Sequence, residues 1–267
     1  MNRSDDGAVG ARWLEFRGRW EAVEAEVIEE ALVTIYVNGR ELATIMCTPR
    51  DQTSLALGLL KNEGRLERLD EVVLTHVSRD GCCVDLWLRH PVEPPTRTIV
   101  TSGCGGGVTF DDPARPLPPL TDDLRLSPAQ LVEQLNRLHF PGSLHARTRG
   151  VHAAGLSDGE RLLARVEDVG RHNTIDKLTG ECLQRGIETR GRALLATGRV
   201  SSEMLRKGAH LALGGDGGGV ERHSGRLRPP RFDARLRPPG AAGRPGGLGS
   251  AAAGGREDDR PCPMTST

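Results

Sequence analysis

"EDVGRHNTIDKLTG", residues 167–180, runs from an acidic strand end through a glycine into a helix, and its reading decides the second half of the chain. Ile175, Leu178 and Cys182 fall at helical spacing in "NTIDKLTGECLQRG", which predicts a helix burying one side. At its start, Arg171, His172 and Asn173 bring a cation, an imidazole and an amide to the point where backbone N–H groups and the helix dipole already favour an anion. With His152, Glu167, Asp168, Asp176 and Lys177 they make either a solvated helix face with a capping asparagine or a seat for a phosphate or carboxylate.

Working outward, "HAAGLSDGERLLARVED" reads as two short strands about Asp158-Gly159, and "RALLATG" as a buried strand. "ATGRVSSEM" repeats the strand-to-helix pattern, with Arg199, Ser201 and Ser202 at the start of a helix that Ser201 caps. Upstream, "SPAQLVEQLNRLHF" opens with Ser127 as cap, Pro128 at the first helical position and Gln130 closing a capping box. Leu131, Val132, Leu135 and Leu138 are its expected buried stripe. Helices alternating with strands over residues 127–213 imply an α/β layer with some parallel pairing.

Residues 26–112 read as a β-rich lobe. Its first hairpin turns at Asn38-Gly39, "DQTSLALGLLKNEG" is a helix burying Leu55, Leu59 and Leu60 and stopping at Gly64, and two further strands flank Asp80-Gly81. The last strand runs into "TSGCGGG", where Cys104 sits among glycines that have no side chains to bury it. Backbone N–H groups of such a loop turn readily on an anion, and a thiolate is one, so Cys104 is a candidate reactive thiol. Pro113, Pro116, Pro118 and Pro119 mark residues 113–126 as a linker, and residues 1–25 read as a polar, disordered start.

The charge balance, 36 basic against 36 acidic residues, gives no global field for nucleic acid or an anionic membrane. With no apolar run of spanning length and no leader-like start, the chain is expected in the cytoplasm, its six cysteines as thiols. No C-x-x-C pair and no paired-histidine motif appears, so no metal site is expected. Residues 214–267 are dominated by glycine, proline and arginine and predict a disordered tail that cannot offset its ordering entropy. Contact with RNA is one reading of that basic tail.

"TSGCGGG", "GVHAAGL", "EDVGRHNTIDKLTG" and "TGRVSSEMLRKGA", with "VNG…TP" and "LALGLLKNEG" upstream, resemble the FdhD family of formate dehydrogenase accessory sulfurtransferases over about residues 28–212. The resemblance implies a cytidine-deaminase-like three-layer α/β main lobe with a smaller β-rich N-terminal lobe, an α+β chain overall. It implies a sulfur carrier that accepts a persulfide from a cysteine desulfurase and passes sulfur to the bis-guanine-dinucleotide molybdenum cofactor of formate dehydrogenase. In that reading Cys104 carries the sulfur, and Arg171, His172, Asn173, Lys177, Arg199 and Ser201 hold the cofactor's phosphates or orient the loop. The cofactor is cargo, and a homodimer is among the expected assemblies.

Two features depart from that pattern. Relatives read C-G-x-C where this chain has Gly107, so a second thiol would have to come from Cys82 or Cys83. Relatives also continue beyond the last helix with a strand, an S-x-P-T helix start and a G-F-x-R-G-x-R-M-N-V-Y segment, none of which follows Leu213 here. We favour an out-of-frame, GC-rich coding end as its origin. Two other functions stand beside the carrier: a binding-only cofactor chaperone, and a deaminase-like hydrolase, against which the lack of P-C-x-x-C argues.

Overall fold

The computed structural model describes residues 6–93, 99–100, 108–110 and 124–212; Cys104, most of the 113–126 linker and the 214–267 tail lie outside the described residues. One compact unit holds all of them. The expectation of a disordered start is corrected. β1 (Ala8–Phe16) and β2 (Trp20–Ile28) pair antiparallel from Ala8↔Ile28 to Phe16↔Trp20. Val9, Ala11 and Trp13 alternate along one face with Val23, Ala25 and Val27 opposite, a period of two that interleaved charges obscure in the sequence.

β3 (Ala31–Val37) and β4 (Arg40–Cys47) form the expected hairpin, with Asn38 and Gly39 both left-handed at φ 50° and 74°, as a tight two-residue turn requires. α1 (Gln52–Asn62) crosses one face, and β5 (Val72–Val77) and β6 (Cys83–Leu88) complete a sheet of order β4-β3-β6-β5. Alternate residues Val33, Ile35, Ile45, Val84 and Leu86 point at Leu55, Leu59 and Leu60 of α1, forming the first core. β7 (Ile99–Val100) and β8 (Val108–Thr109) pair Ile99↔Thr109 and Val100↔Val108, bracketing the cysteine segment.

α2 (Pro128–Arg137) begins with the predicted capping box, followed by the short α3 (Leu144–Thr148). β9 (His152–Ser157), β10 (Leu162–Asp168) and β11 (Ala193–Ala196) form a sheet of order β10-β9-β11. Its pairings are antiparallel, and the parallel pair of the described residues lies instead between β3 and β6. Leu131 and Leu135 of α2, with Leu138 at its C-cap, cover one face of this sheet. Val132, expected in that stripe, is exposed, because the row at 131, 135 and 138 is filled out by the buried Gln134, whose amide donates to the Glu160 carbonyl at 2.8 Å. α4 (Arg171–Arg185) and α5 (Ser202–Ala212) cover the other face through Ile175, Leu178, Cys182, Met204 and Leu211.

The two sheets are joined through α1 and α4, which meet backbone to backbone. A Cβ on Gly58 would stand 1.7 Å from the Asp176 carbonyl oxygen, and one on Gly180 would stand 1.9 Å from that of Ser54. Only glycine permits this approach, and it brings the polar flanks of both helices into one dry interface.

Candidate functional site

Three chain segments end together at one edge of the β10-β9-β11 sheet. His152 opens β9 opposite Asp168, where β10 closes, and Thr197 after β11 exchanges bonds with Ala153: its N–H donates to the Ala153 carbonyl and its hydroxyl accepts the Ala153 N–H, both at 2.9 Å. α4 and α5 start from this edge. Gly198 bends the chain at φ 89°, and a Cβ there would meet the His152 ring at 3.0 Å. His172 Nε2 lies 3.3 Å from Ser201 Oγ and 3.2 Å from Glu203 Oε2, which ties the first turn of α4 to the cap of α5. Ser201 Oγ accepts the Met204 N–H at 3.3 Å, the capping bond its sequence position predicts.

Behind this edge lies a fully buried polar layer organised by Asp168. Its carboxylate accepts the Gly170 N–H at 2.7 Å, the Thr48 N–H at 3.1 Å and the Asn173 amide at 2.8 Å, and pairs with Lys177 Nζ at 2.7 Å. Lys177 also donates to the Thr48 carbonyl at 3.0 Å, and Asn173 to the Met46 carbonyl at 2.8 Å. Lys177 and Asn173, expected to hold phosphates or to orient the loop, both face inward, Lys177 with a side-chain exposure of 0%, and their hydrogen bonds join the β4 end to α4. Glu167 is likewise engaged, accepting the Leu144 and His145 N–H groups at 2.8 and 3.0 Å at the start of α3.

His172 contributes an imidazole without a charge. Burial first, then the neighbouring charges of Arg171, Lys207 and His152, push its pKa down to about 4, so at neutral pH it is an uncharged imidazole beside Glu203. His152 is lowered for the same two reasons, burial and Arg171, with Asp168 opposing. The positive charge of this edge thus comes from half-buried Arg171 and exposed Arg199, with half-buried Ser201 between the helix starts. Two helix N-termini, two guanidiniums and a hydroxyl suit an anion, and the Glu203 carboxylate leaves the outer side as the place for it.

The structure brings Arg171, His172, Arg199 and Ser201 together and separates Asn173 and Lys177 from them. Thr48, which sequence reading left out of the site, bonds Asp168 from 120 residues away and helps to organise it. The trace of this in the sequence is an acid two positions before the helix-initiating Gly170. Cys82 and Cys83 are half-buried, whereas Cys47 and Cys182 are buried, and burial pushes the Cys182 thiol up to about 12. Among the described residues no three His, Cys, Asp or Glu side chains gather as metal ligands, and no helix is long and apolar enough to cross a membrane.

This geometry defines an α+β protein in which two helix starts meet at one end of a three-stranded sheet. The chain belongs to the FdhD/NarQ family, whose profile matches residues 28–214. The sulfur carrier protein FdhD of Staphylococcus aureus strain MRSA252 is 34% identical over 195 residues, 71% of this chain and 74% of its own. The protein of the same name from strain JH9 aligns with the same figures, 34% over 195 residues. Among solved structures, that of a candidate formate dehydrogenase accessory protein from Desulfotalea psychrophila matches in fold, with a TM-score of 0.64 at 24% identity over 78% of this chain and 81% of that one.

Proposed function

We propose that this chain is a sulfur carrier in formate dehydrogenase maturation, with Cys104 as the carrying thiol. The observation that carries the reading is the family match across residues 28–214, which contains Cys104 and both helix starts of the anion edge. The Cys104 thiolate attacks the outer sulfur of a cysteine desulfurase's persulfide. A new S–S bond forms at Cys104, and the donor thiolate leaves. Handing that outer sulfur on as sulfide breaks the same bond and takes two electrons, which two thiols supply by becoming a disulfide. The acceptor in this reading is the bis-guanine-dinucleotide molybdenum cofactor, whose phosphates meet Arg171, Arg199 and Ser201. α2, the β10-β9-β11 sheet and the α4/α5 layer then constitute a cytidine-deaminase-like main lobe, and a cytoplasmic homodimer belongs to the same proposal.

Mass spectrometry after treatment with desulfurase and cysteine should find one added sulfur on Cys104, and Cys104→Ala should lose restoration of formate dehydrogenase in a strain lacking its own family member. Unimpaired restoration by Cys104→Ala would leave the binding-only chaperone as the better reading.

A further inference from the structure

Residues 99–110 leave and re-enter the described structure through β7 and β8, and the re-entry point is held in an unusual way. Immediately after β8, the Phe110 N–H donates to Glu63 Oε2 at 2.7 Å, and Phe110, 9% exposed, is part of the first core. Glu63 is the C-cap of α1, the end at which the helix dipole disfavours a carboxylate, yet its side chain is only 2% exposed. A buried anion at the negative end of a helix is costly, so something must hold it there.

What faces it is Lys207 from α5. Its Nζ lies 4.0 Å from Glu63 Oε1 and 2.6 Å from Asp176 Oδ2, and Asp176 also accepts the Asn62 amide at 2.7 Å. Burial works against the Lys207 ammonium, but Asp176 and Glu63 outweigh it and hold its pKa above the ordinary lysine value. Lys207 therefore stays charged, close to the carboxylates of Asp176 and Glu63, with Glu203 adding a smaller attraction. Asp176 is fixed in the α1–α4 interface, leaving the second carboxylate, Glu63, to face the chain that follows the cysteine segment.

We infer that Glu63 is a positioning residue for sulfur transfer: its carboxylate pins the outgoing stem of the Cys104 segment, through Phe110, to the end of α1 and to Lys207 of α5. The inference rests on the carrier reading of Cys104. α5 is also capped by Ser201, so a single helix carries both the stem's counter-ion and one of the two helix starts at the sheet end. Glu63 thus fixes the stem in the frame that would hold the acceptor.

The test uses the full chain with Glu63→Ala, which removes the acceptor, and Glu63→Gln, which keeps a carbonyl for the Phe110 N–H. In Glu63→Ala, amide exchange at Phe110 should quicken about tenfold. Activation of formate dehydrogenase per sulfur-loaded Cys104 should slow about tenfold, with the loaded fraction unchanged. Glu63→Gln should recover most of both. Normalising to loaded thiol separates positioning from a loss of folded protein, and Glu63→Met, of similar volume without an acceptor, stands in where the alanine variant does not fold. A folded variant without the acceptor that delivers sulfur at the unmodified rate overturns the inference, as does a glutamine variant as impaired as the alanine one. Retained delivery by Cys104→Ala overturns the carrier reading together with this one. Loss of delivery in Cys104→Ala with normal delivery in Glu63→Ala overturns the anchor alone.

Discussion

Lys177 and Arg199 stand on opposite sides of the same sheet edge, and the protein treats their charges in opposite ways. Lys177 is enclosed with Asp168 in a layer where carboxylate oxygens, amide and ammonium are matched across β4, β10 and α4. Arg199 is exposed beside two helix starts, and the neighbouring imidazoles of His152 and His172 are held neutral. Residue type alone does not separate ligand-binding cations from structural ones. The difference lies in whether the fold already supplies the counter-charge. Where it does, the cation is part of the scaffold, and where it does not, the cation is left for something outside the chain.

That contrast is tested most severely at Lys177. Lys177→Ala leaves the Asp168 carboxylate buried without its cation, and breaking a buried pair in this way costs about 3–5 kcal/mol. Urea unfolding should show a loss of that size. A loss below about 1 kcal/mol would mean that water or a rearranged side chain replaces the ammonium and that the layer is less closed than its geometry.

How far this division was legible follows from the range of each interaction. Asn38-Gly39, the Ser127–Gln130 box and Ser201 act within four residues of themselves, and the sequence displays them directly. The Thr48–Asp168 bond and the Lys207–Glu63 approach join segments far apart in the chain, and no local pattern announces them. Lys177 therefore looked like Arg171, one more cation in a basic cluster. The β1–β2 hairpin was missed for another reason. Arg12, Glu15, Glu21 and Glu24 gave residues 1–25 the look of a solvated tail, although Val9, Ala11, Trp13, Val23 and Ala25 alternate along one face.

His172 lies on the boundary between the two sides, and pH probes it. Its pKa falls to about 4 on folding, below the ordinary 6.5, so the unfolded chain binds more protons across that window. The stability contributed by the neutral ring is present in full above pH 6.5 and is lost as pH falls toward 4. Between neutral pH and pH 5 the loss should be about 2 kcal/mol, and His172→Gln should lack that part of the pH dependence. Equal slopes for the two proteins would mean that folding leaves the imidazole's proton affinity unchanged, and a reversed slope that it is held as a cation beside Glu203.

The smallest effect on stability is expected at Arg199. Exposed and outside the buried layer, its guanidinium should be removable as Arg199→Ala with a change in unfolding free energy within about 0.5 kcal/mol. Binding should respond where stability does not. A charge-assisted contact to a phosphate contributes about 1.5–3 kcal/mol, so calorimetric titration with guanosine diphosphate should show affinity falling about tenfold or more. The weakening should be greater at low salt than at high salt, because an exposed cation is screened over about 10 Å at 0.1 M. If Arg199→Ala binds the nucleotide as the unmodified chain does while Arg171→Ala does not, the seat belongs to the start of α4 alone. If neither variant changes binding, the outer edge is a solvated surface, and the charges on the two sides of α4 differ in burial but not in purpose.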